Sequence, residues 1–489
     1  MHRIYMSRLR LIFLIAFSFG LAACTKPPEL VICAAQGAHG VMWPDDGGGG
    51  LGVLKNAAAA EKRPHLLLGG DGWFVGTPEG VRDRGLDTAR LMGAVGYDAV
   101  LAGPDEFTYG WRNLQYVVQE SSLPALGSNV RVPGGKFLLP SVVKDFGAFR
   151  VGVLGLLADE QHRRAGQASA TPPVKNELEQ TRELAGDLKR QGVEFVVALL
   201  AGDRQETLAM SRQRAAELAA AVPELSLVLV FNRMSGEAEA VRSGQSWLAV
   251  CPYVPGSVFQ LTLALNPAAH GVRNVAVRRL ALDASVYGED AKIAARVSAL
   301  RADTDRKLGR RVTSAPQELS GEALGNWAAD CLMRWGKGQA AFLNRGALWS
   351  SIPAGPVTEK TLYQLYPQDD TVMIVKIRGA ELRQALEQSL DSPSSPLYAG
   401  GVSIDYNPQG DPGMRIRAVA VDGTPIADNK LYKVIATDFM LAGGEGCAGL
   451  SQAVEFANTH EPVRKVLRWC MAKNRSIAAP GGQRWIKEH

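Results

Sequence analysis

The chain has 489 residues, of which 46% are hydrophobic and 21% are charged, and a formal net charge of +5. Because a single hydrophobic core stops growing at roughly 250 to 300 residues, this length predicts two domains. Three arginines and no acidic residue lie within residues 1–23, so the charge of the remaining chain is +2. No basic stripe is left that would indicate binding to a nucleic-acid polymer.

Residues 1–23 have the pattern of an export signal. Three arginines precede an apolar run at 11–17, which is too short to cross a bilayer core of about 30 Å. Leu-Ala-Ala then leads directly into Cys24, as in the lipobox at which bacterial lipoprotein precursors are cut and acylated. We expect a signal peptide over 1–23, lipidation at Cys24 and attachment to the membrane through the lipid. The alternatives are a plain secretory signal and a buried helix. Thr25 favours the outer membrane, with the protein facing the periplasm.

Short apolar runs alternate with amphipathic helices in the first half of the chain. Strands are predicted at 30–33, 65–68, 99–102, 149–157, 195–200 and 225–231, and helices at 51–63, 88–95 and 210–221. This alternation predicts a layered α/β domain whose strand-end loops carry the functional residues. We assign this domain to residues 24–285.

The second half of the chain mixes helices and strands without a simple alternation. A charged, Ala-rich helical connector is predicted at 286–315 and an α+β domain at 316–475. Within that domain, the predicted helices are 322–335 and 380–389, and the predicted strands are 373–377, 402–406 and 432–437. Residues 476–489 are assigned to a tail that we expect to be loosely ordered.

Five cysteines remain besides Cys24, and none of them shows C-x-x-C spacing. A zinc knuckle or a thioredoxin-like motif is therefore not indicated, and buried structural cysteines are expected. The sequence leaves their pairing open.

Short motifs follow the predicted strands in a fixed order, and together they carry a family resemblance. They include Gly37-Ala38-His39-Gly40, Gly70-Asp71-Gly72-Trp73, Gly103-Pro104-Asp105-Glu106-Phe107-Thr108-Tyr109-Gly110 and Asn344-Arg345-Gly346-Ala347-Leu348-Trp349. In order and spacing these motifs resemble those of the bifunctional metallophosphatase/5'-nucleotidase family, periplasmic and surface enzymes that remove phosphate from nucleotides. The resemblance covers nearly the whole chain after residue 24. It implies a four-layer α/β metallophosphoesterase-like domain followed by an α+β 5'-nucleotidase C-terminal-like domain.

The resemblance also implies a dinuclear metal centre, but most ligand positions carry other residues. Two cations about 3.5 to 4 Å apart need around seven nitrogen and oxygen ligands. Of the family's ligand positions only His39 and Asp71 keep their residue type, while the others correspond to Gly37, Pro104, Ala201 and the loop 231–234. We therefore expect no full dinuclear occupancy. The alternative is one weakly bound divalent ion, manganese or zinc, held by His39, Asp71, Asn232 and the candidate catalytic residue Asp105, which stands where the family has a histidine.

Structural roles for the same side chains are equally open. In this alternative interpretation, His39 is a hydrogen-bonded histidine in a turn, and Asp71 caps the turn that follows Asp71 itself. Glu106, which with Asp105 forms a candidate acid and base pair, then accepts hydrogen bonds within its own loop.

The residues that correspond to the family's substrate-binding positions are also replaced, independently of the metal-ligand positions. The phosphate-binding arginine corresponds to Trp349, and the two aromatic residues that would hold a base correspond to Gln368 and Cys447. Asn344 keeps its residue type, and Arg345 is the candidate for a phosphate contact in place of Trp349, with an exposed surface arginine as the alternative.

These observations favour an envelope lipoprotein of the 5'-nucleotidase family that has lost nucleotide hydrolysis and binds a small molecule or a protein in the interdomain cleft. One alternative is an active phosphoester hydrolase with a rebuilt mononuclear site. The other is a thiol-based redox or sulfur-handling protein that acts through Cys33 or Cys447.

Overall fold

A computed structural model describes residues 27–37, 42–43, 49–132, 137–157, 173–202, 207–232, 236–392, 395–473 and 476–488. Cys24 and His39 lie outside the described residues, so the predicted lipidation site and one predicted metal ligand have no structural description. Within the described ranges, no helix is long and apolar enough to cross a membrane.

Two sheets form the centre of the first domain. Among the described residues, one sheet contains strands β1 Glu29–Ala35, β2 His65–Gly69, β3 Ala99–Leu101, β4 Ala125–Leu126, β11 Ser257–Asn266 and β12 Gly271–Ala281. The other contains β5 Val142–Asp145, β6 Arg150–Leu156, β7 Phe195–Ala201, β8 Leu227–Asn232, β9 Glu239–Ser243 and β10 Ser246–Pro252. The strand orders are β12-β11-β1-β2-β3-β4 and β5-β6-β7-β8-β10-β9.

The parallel strands β1 to β4 and β6, β7, β8 and β10 are nearly continuous apolar runs because both of their faces are covered. The inner faces pack against each other, and one hydrophobic cluster includes Leu101 and Val153 from the two sheets. Helices α1 Leu51–Ala60, α2 Pro78–Arg82, α3 Leu86–Val95 and α4 Trp111–Ser121 follow strands of the first sheet. Helices α5 Glu177–Arg190 and α6 Leu208–Ala221 cover the second sheet, over a separate apolar cluster. The predicted four-layer α/β architecture is confirmed.

The predicted connector region contains a short helix, α7 Ala284–Tyr287, and then α8 Ala291–Leu308. Three apolar residues of α8, Ile293, Val297 and Leu300, belong to the core of the first domain. The first half of α8 therefore packs against the first domain, because its apolar residues recur at helical spacing.

The second domain is the predicted α+β unit. Its strands are β13 Arg311–Ala315, β14 Ala340–Leu343, β15 Gly355–Thr358, β16 Thr371–Arg378, β17 Tyr398–Gly400, β18 Val402–Tyr406, β19 Ile416–Val421, β20 Thr424–Pro425, β21 Leu431–Thr437, β22 Glu455–Pro462 and β23 Trp485–Lys487. Its helices are α9 Gly321–Gly336, α10 Glu359–Leu365, α11 Gly379–Ser389, α12 Asp438–Leu441 and α13 Val463–Lys473. In the part of the chain that the structure describes, the strands form sheets in the orders β13-β15, β17-β14-β21-β16-β22 and β20-β19-β18-β23.

The C-terminal segment differs from the loosely ordered tail that we expected. Strand β23 pairs in parallel with β18, and the buried Trp485 donates a hydrogen bond from Nε1 to the carbonyl oxygen of Leu397 at 2.7 Å. Arg484 pairs with Asp330 at 2.9 Å. The indole anchors a short segment whose other residues are too polar to be recognised as a strand from their pattern.

A disulfide joins Cys331 of α9 to Cys470 of α13. The remaining cysteines that the structure describes, Cys33, Cys251 and Cys447, are buried thiols. The prediction of buried structural cysteines did not anticipate this pairing, because the two partners lie 139 residues apart.

Candidate functional site

The motif residues meet at the edge where the parallel strands of the first domain end. Gly37 follows β1, Asp71 follows β2, and Pro104–Phe107 form a 3-10 turn after β3. Asn232 is the last residue of β8 in the facing sheet. Parallel strands place their carboxyl ends on one edge, so segments far apart in sequence converge here.

Glu106 organises two of these loops through backbone hydrogen bonds. Its Oε1 accepts from the N–H groups of Gly72 and Trp73, both at 2.9 Å, and its Oε2 accepts from the N–H of Gly103 at 3.2 Å. The side chain is buried. Glu106 therefore stabilises the loops around it by accepting backbone hydrogen bonds. This is the structural role that the sequence left open beside a role in catalysis.

Asp71 is enclosed by the neighbouring glycines. The N–H of Gly37 donates to the carbonyl oxygen of Asp71 at 3.1 Å, and a Cβ atom placed on Gly37 would lie 2.3 Å from that oxygen. A Cβ on Gly103 would lie 2.3 Å from the Cβ of Asp71. Ordinary contacts of a Cβ atom begin near 3.4 Å, so neither glycine position can carry a side chain on this backbone. Asp105, on the adjacent 3-10 turn, is buried beside this contact.

The facing sheet contributes side chains that point to its covering helix. The Nδ2 atom of Asn232 donates to Oγ of Ser211 on α6 at 2.7 Å, and Asn232 is fully buried. One turn further along α6, Arg214 donates from Nη1 to the carbonyl oxygen of Ala201 at 2.9 Å and pairs with Glu177 at 3.0 Å. These contacts tie the ends of β7 and β8 to α6.

The described residues do not fit the dinuclear centre that the family resemblance implies. No group of three or more His, Cys, Asp or Glu side chains suited to a metal ion occurs within the described ranges. Gly37 closes on the backbone of Asp71 where the family has an aspartate, and the amide nitrogen of Asn232 is directed to Ser211. Of the predicted mononuclear set, Asp71, Asp105 and Asn232 lie at this edge, and His39 lies outside the described residues.

The candidate substrate residues of the second domain are held by local contacts. Nε of Arg345 donates to the carbonyl oxygen of Pro396 at 2.6 Å, and its guanidinium carbon lies 4.9 Å from the ring centroid of Tyr398. Asn344 is buried beside it. The guanidinium is therefore half-buried and held by a hydrogen bond and a stacking contact, while its role toward a phosphate stays a prediction.

Trp349 and Gln368 contact each other at the positions of the family's phosphate-binding arginine and first base-stacking ring. Nε1 of Trp349 donates to the carbonyl oxygen of Gly346 at 3.0 Å. In the amide orientation that satisfies both of its polar atoms, Gln368 accepts from Nε1 of Trp349 at 2.6 Å and donates to the carbonyl oxygen of Ala347 at 3.2 Å. A neutral, internally hydrogen-bonded pair therefore replaces a cation and an aromatic ring.

The two domains are in contact beside Gln368. The hydroxyl of Tyr109, the tyrosine of the third motif, donates to the carbonyl oxygen of Pro367 at 3.4 Å. Burial raises the pKa of Tyr109 well above its usual range. Asp369 accepts ion pairs from Arg84 of the first domain at 3.4 Å and from Arg464 of the second domain at 2.5 Å. Sequence reasoning missed this cluster because no local motif marks charged residues that meet only in the folded chain.

A second cross-domain contact lies beside α10. Nζ of Lys360 is 3.7 Å from Oε1 of Glu79 on α2 and 2.5 Å from Oδ1 of Asp305 on α8. Glu79 is 1% exposed. The position of the second domain on the first is thus specified by charged pairs as well as by apolar packing.

The thiols named for a redox role are poorly placed for one. Cys33 is buried, and burial, reinforced by the charge of Glu61, raises its thiol pKa to about 11. Cys447 is also buried. A reactive thiol needs access and a lowered pKa, so these environments argue against thiol chemistry.

Comparison with known proteins extends these observations. The family model of the 5'-nucleotidase C-terminal domain matches residues 294–452. A 5'-nucleotidase from Bos taurus is 24% identical over 442 residues, which cover 78% of this chain and 75% of that protein. The crystal structure of a 5'-nucleotidase precursor from Thermus thermophilus has a TM-score of 0.75 at 19% identity and covers 94% of this chain and 99% of its own. The sulfate thiohydrolase SoxB of Thermus thermophilus has a TM-score of 0.70 at 16% identity, covering 94% and 97%. The structural likenesses confirm the two-domain fold.

Proposed function

We propose that this chain, which belongs to the 5'-nucleotidase family as a divergent member, is a cell-envelope lipoprotein that binds a ligand between its domains and no longer hydrolyses nucleotide phosphate esters. The curated relatives are 5'-nucleotidases, so nucleotide hydrolysis is the ancestral activity from which this role would derive.

The observation that carries the proposal is the closure of the Gly37 loop on Asp71. Loss of a ligand side chain alone leaves a space that water or another ligand can fill. Here the backbone itself occupies that space, because a Cβ atom on Gly37 would lie 2.3 Å from the carbonyl oxygen of Asp71 and 2.5 Å from the carbonyl carbon of Gly72. A two-metal reaction depends on cations that clamp the attacking and leaving oxygens, and this arrangement removes one of the positions that would hold them.

The two domains are in contact beside the strand-end edge of the first. The strand-end edge of the first domain and the loop of Gln368 remain adjacent through the contact between Tyr109 and Pro367. Asp369 and its two arginines lie at the same boundary. Contacts that persist at this boundary without the family's catalytic donors support binding, by a small molecule or a protein, over turnover.

Location in the envelope is supported by two independent features. The segment that ends at Cys24 has the pattern of a lipoprotein signal. The disulfide between Cys331 and Cys470 is of the kind that persists outside the reducing cytoplasm. Labelling with radioactive palmitate should mark the wild-type protein and Cys33→Ser but not Cys24→Ser. Labelling of Cys24→Ser would contradict the lipid anchor.

The loss of hydrolysis is tested by measuring metal content and turnover on the same preparation. The protein is purified without chelators, dialysed against manganese and then zinc, and analysed for both elements. We expect less than one equivalent of metal per chain and no hydrolysis of AMP or of p-nitrophenyl phosphate above the protein-free blank.

Two variants separate the alternatives in this experiment. Metal-dependent turnover that is abolished in Asp71→Ala and His39→Ala, but not in Asp411→Ala, would overturn the proposal and establish a rebuilt hydrolytic site. Asp411 is a suitable control because it is an exposed carboxylate in the second domain. Near two equivalents of metal would contradict the proposal even without turnover.

A further inference from the structure

A cavity of about 610 Å³ lies between helices α3 and α8, away from the strand-end loops. Arg82, at the end of α2, and Ser121, at the end of α4, complete its wall. Small-molecule sites typically enclose about 300 to 1,000 Å³, so the volume suits a small organic ligand. None of its lining residues belongs to the family motifs.

Both helices present the same spacing of residues to the cavity. Helix α3 contributes Asp87, Arg90, Leu91, Gly93 and Ala94, and α8 contributes Arg296, Ala299, Leu300 and Asp303. Apart from Gly93, each set falls at positions i, i+3, i+4 and i+7, which share one face of a helix. The buried Leu91 and Leu300 stand third in each set and form an apolar centre.

One end of the cavity is closed by ion pairs. Arg82 lies 3.0 Å from Asp303 and 3.8 Å from Asp87, and its side chain is 16% exposed. Asp303 is also paired with Lys307 at 2.8 Å. The carboxylates that line the cavity are therefore already neutralised by cations within the protein.

The other end carries positive charge that the protein does not neutralise. Arg296 is two helical turns from Asp303, roughly 10 Å along α8. It is exposed and makes no ion pair or hydrogen bond with another described residue. Arg90, the arginine of α3 in the wall, is paired with Asp87 at 3.7 Å and with Glu120 at 3.4 Å, so among the described residues Arg296 is the free cation of the lining. The lining therefore has three arginines against two aspartates.

We propose that this cavity is a binding site for an amphiphilic anion, with a carboxylate or phosphate head at Arg296 and an apolar body along Leu91 and Leu300. Guanidinium groups match the planar geometry of carboxylate and phosphate oxygens. The apolar centre selects for a hydrocarbon body, and the roughly 10 Å between the open and the closed end accommodates a chain of about eight carbons. The site is independent of the strand-end edge and of the proposed loss of hydrolysis.

Calorimetric titration of the full protein with octyl phosphate, below its micelle concentration, tests this site. Octyl glucoside keeps the chain and removes the charge, while inorganic phosphate keeps the charge and removes the chain. We expect saturable binding of octyl phosphate with one site per chain, and binding of the other two compounds weakened by about tenfold or more because each lacks one of the two interactions.

Matched variants assign the binding to the cavity. Arg296→Glu should weaken octyl phosphate by about tenfold or more, and Ala299→Trp, at an exposed position of the wall, should block access. Lys292→Glu makes the same charge change on the same helix outside the cavity and should bind as the wild type does. Equal binding by the wild type, Arg296→Glu and Ala299→Trp would overturn the assignment, as would the absence of octyl phosphate binding.

The source of the anion is distinguished by a vesicle experiment. Sedimentation of the protein with vesicles containing phosphatidylglycerol, reduced by Arg296→Glu and competed by octyl phosphate, identifies a lipid head group. Octyl phosphate binding without sedimentation identifies a soluble amphiphile. Sedimentation that is unchanged in Arg296→Glu and not competed overturns a role of the cavity in membrane binding.

Discussion

Restoring the family's aspartate at position 37 should destabilise the protein rather than recreate a metal site. In Gly37→Asp the new Cβ would start 2.3 Å from the carbonyl oxygen of Asp71, whereas ordinary contact begins near 3.4 Å. One loop must therefore move by roughly 1 Å, which also breaks the hydrogen bond from the N–H of Gly37 to that oxygen. Overpacking costs about 1 to 3 kcal/mol and the hydrogen bond about 1 kcal/mol, so the free energy of unfolding should fall by about 2 to 4 kcal/mol.

Thermal unfolding followed by calorimetry measures this loss. For a domain of this size about 1 kcal/mol corresponds to about 2 to 4 °C, so the transition of the first domain should move down by about 5 to 15 °C. Gly186→Ala is the matched control, because that glycine lies within helix α5 and its added Cβ would meet only Nη1 of Arg190, at 3.4 Å. The control should be unchanged or slightly more stable. A Gly37→Asp protein that melts with the wild type and gains stoichiometric manganese would refute the closed-loop reasoning.

Three further predictions concern charge and burial elsewhere. Glu387→Ala should lower the free energy of unfolding by about 3 kcal/mol, because Arg415, which lies 2.6 Å away and is 11% exposed, would lose its buried partner. Denaturant titration measures this change, and a loss below about 1 kcal/mol would contradict the prediction. The hydrogen bond from Arg63 lowers the pKa of Glu61 from 4.5 to about 2, so its stabilisation is complete above about pH 4.5 and is lost as pH falls towards 2. Glu61→Gln should remove this part of the acid sensitivity, and an unchanged acid profile would count against the pair. At pH 8 the native Cys33 thiol, with its pKa raised to about 11 by burial, should react with iodoacetamide far more slowly than it does after unfolding; equal rates would revive the thiol hypothesis.

The strands that could be predicted from the sequence are buried on both faces, and their sequences are therefore continuous apolar runs. Strands β2, β7 and β8 were predicted within a residue or two because parallel strands covered on both faces leave no place for polar side chains. Strands β9 to β12 were missed, and three of them, β9, β11 and β12, pair antiparallel with all their neighbours. Strand β12 buries Val272, Val275 and Leu280 at uneven spacing. It therefore shows neither the continuous apolar run nor the regular alternation by which a strand is recognised in a sequence.

The candidate site was predictable in composition but not in geometry. Residue types alone showed that Gly37 and Pro104 offer no ligand atoms. A glycine does not reveal whether its missing side chain leaves a gap or allows two backbones to touch, and the approach of Gly37 to Asp71 is visible only in the structure. The pairing of Arg84 with Asp369 is likewise a product of domain docking, since neither residue has a local pattern that marks its partner.

The bond between Cys331 and Cys470 turns most of the second domain into a covalent ring, from α9 to α13. A protease that cuts the chain once inside this ring leaves both pieces attached, so the two pieces separate only when a reductant is added. A single cut in the first domain instead gives two pieces that no covalent bond joins. A denaturant alone, without a reductant, is enough to separate them. On the export route that we propose, the ring cannot close before residue 470 has left the reducing cytoplasm, so the second domain would be completed covalently only after its last helix has crossed the membrane.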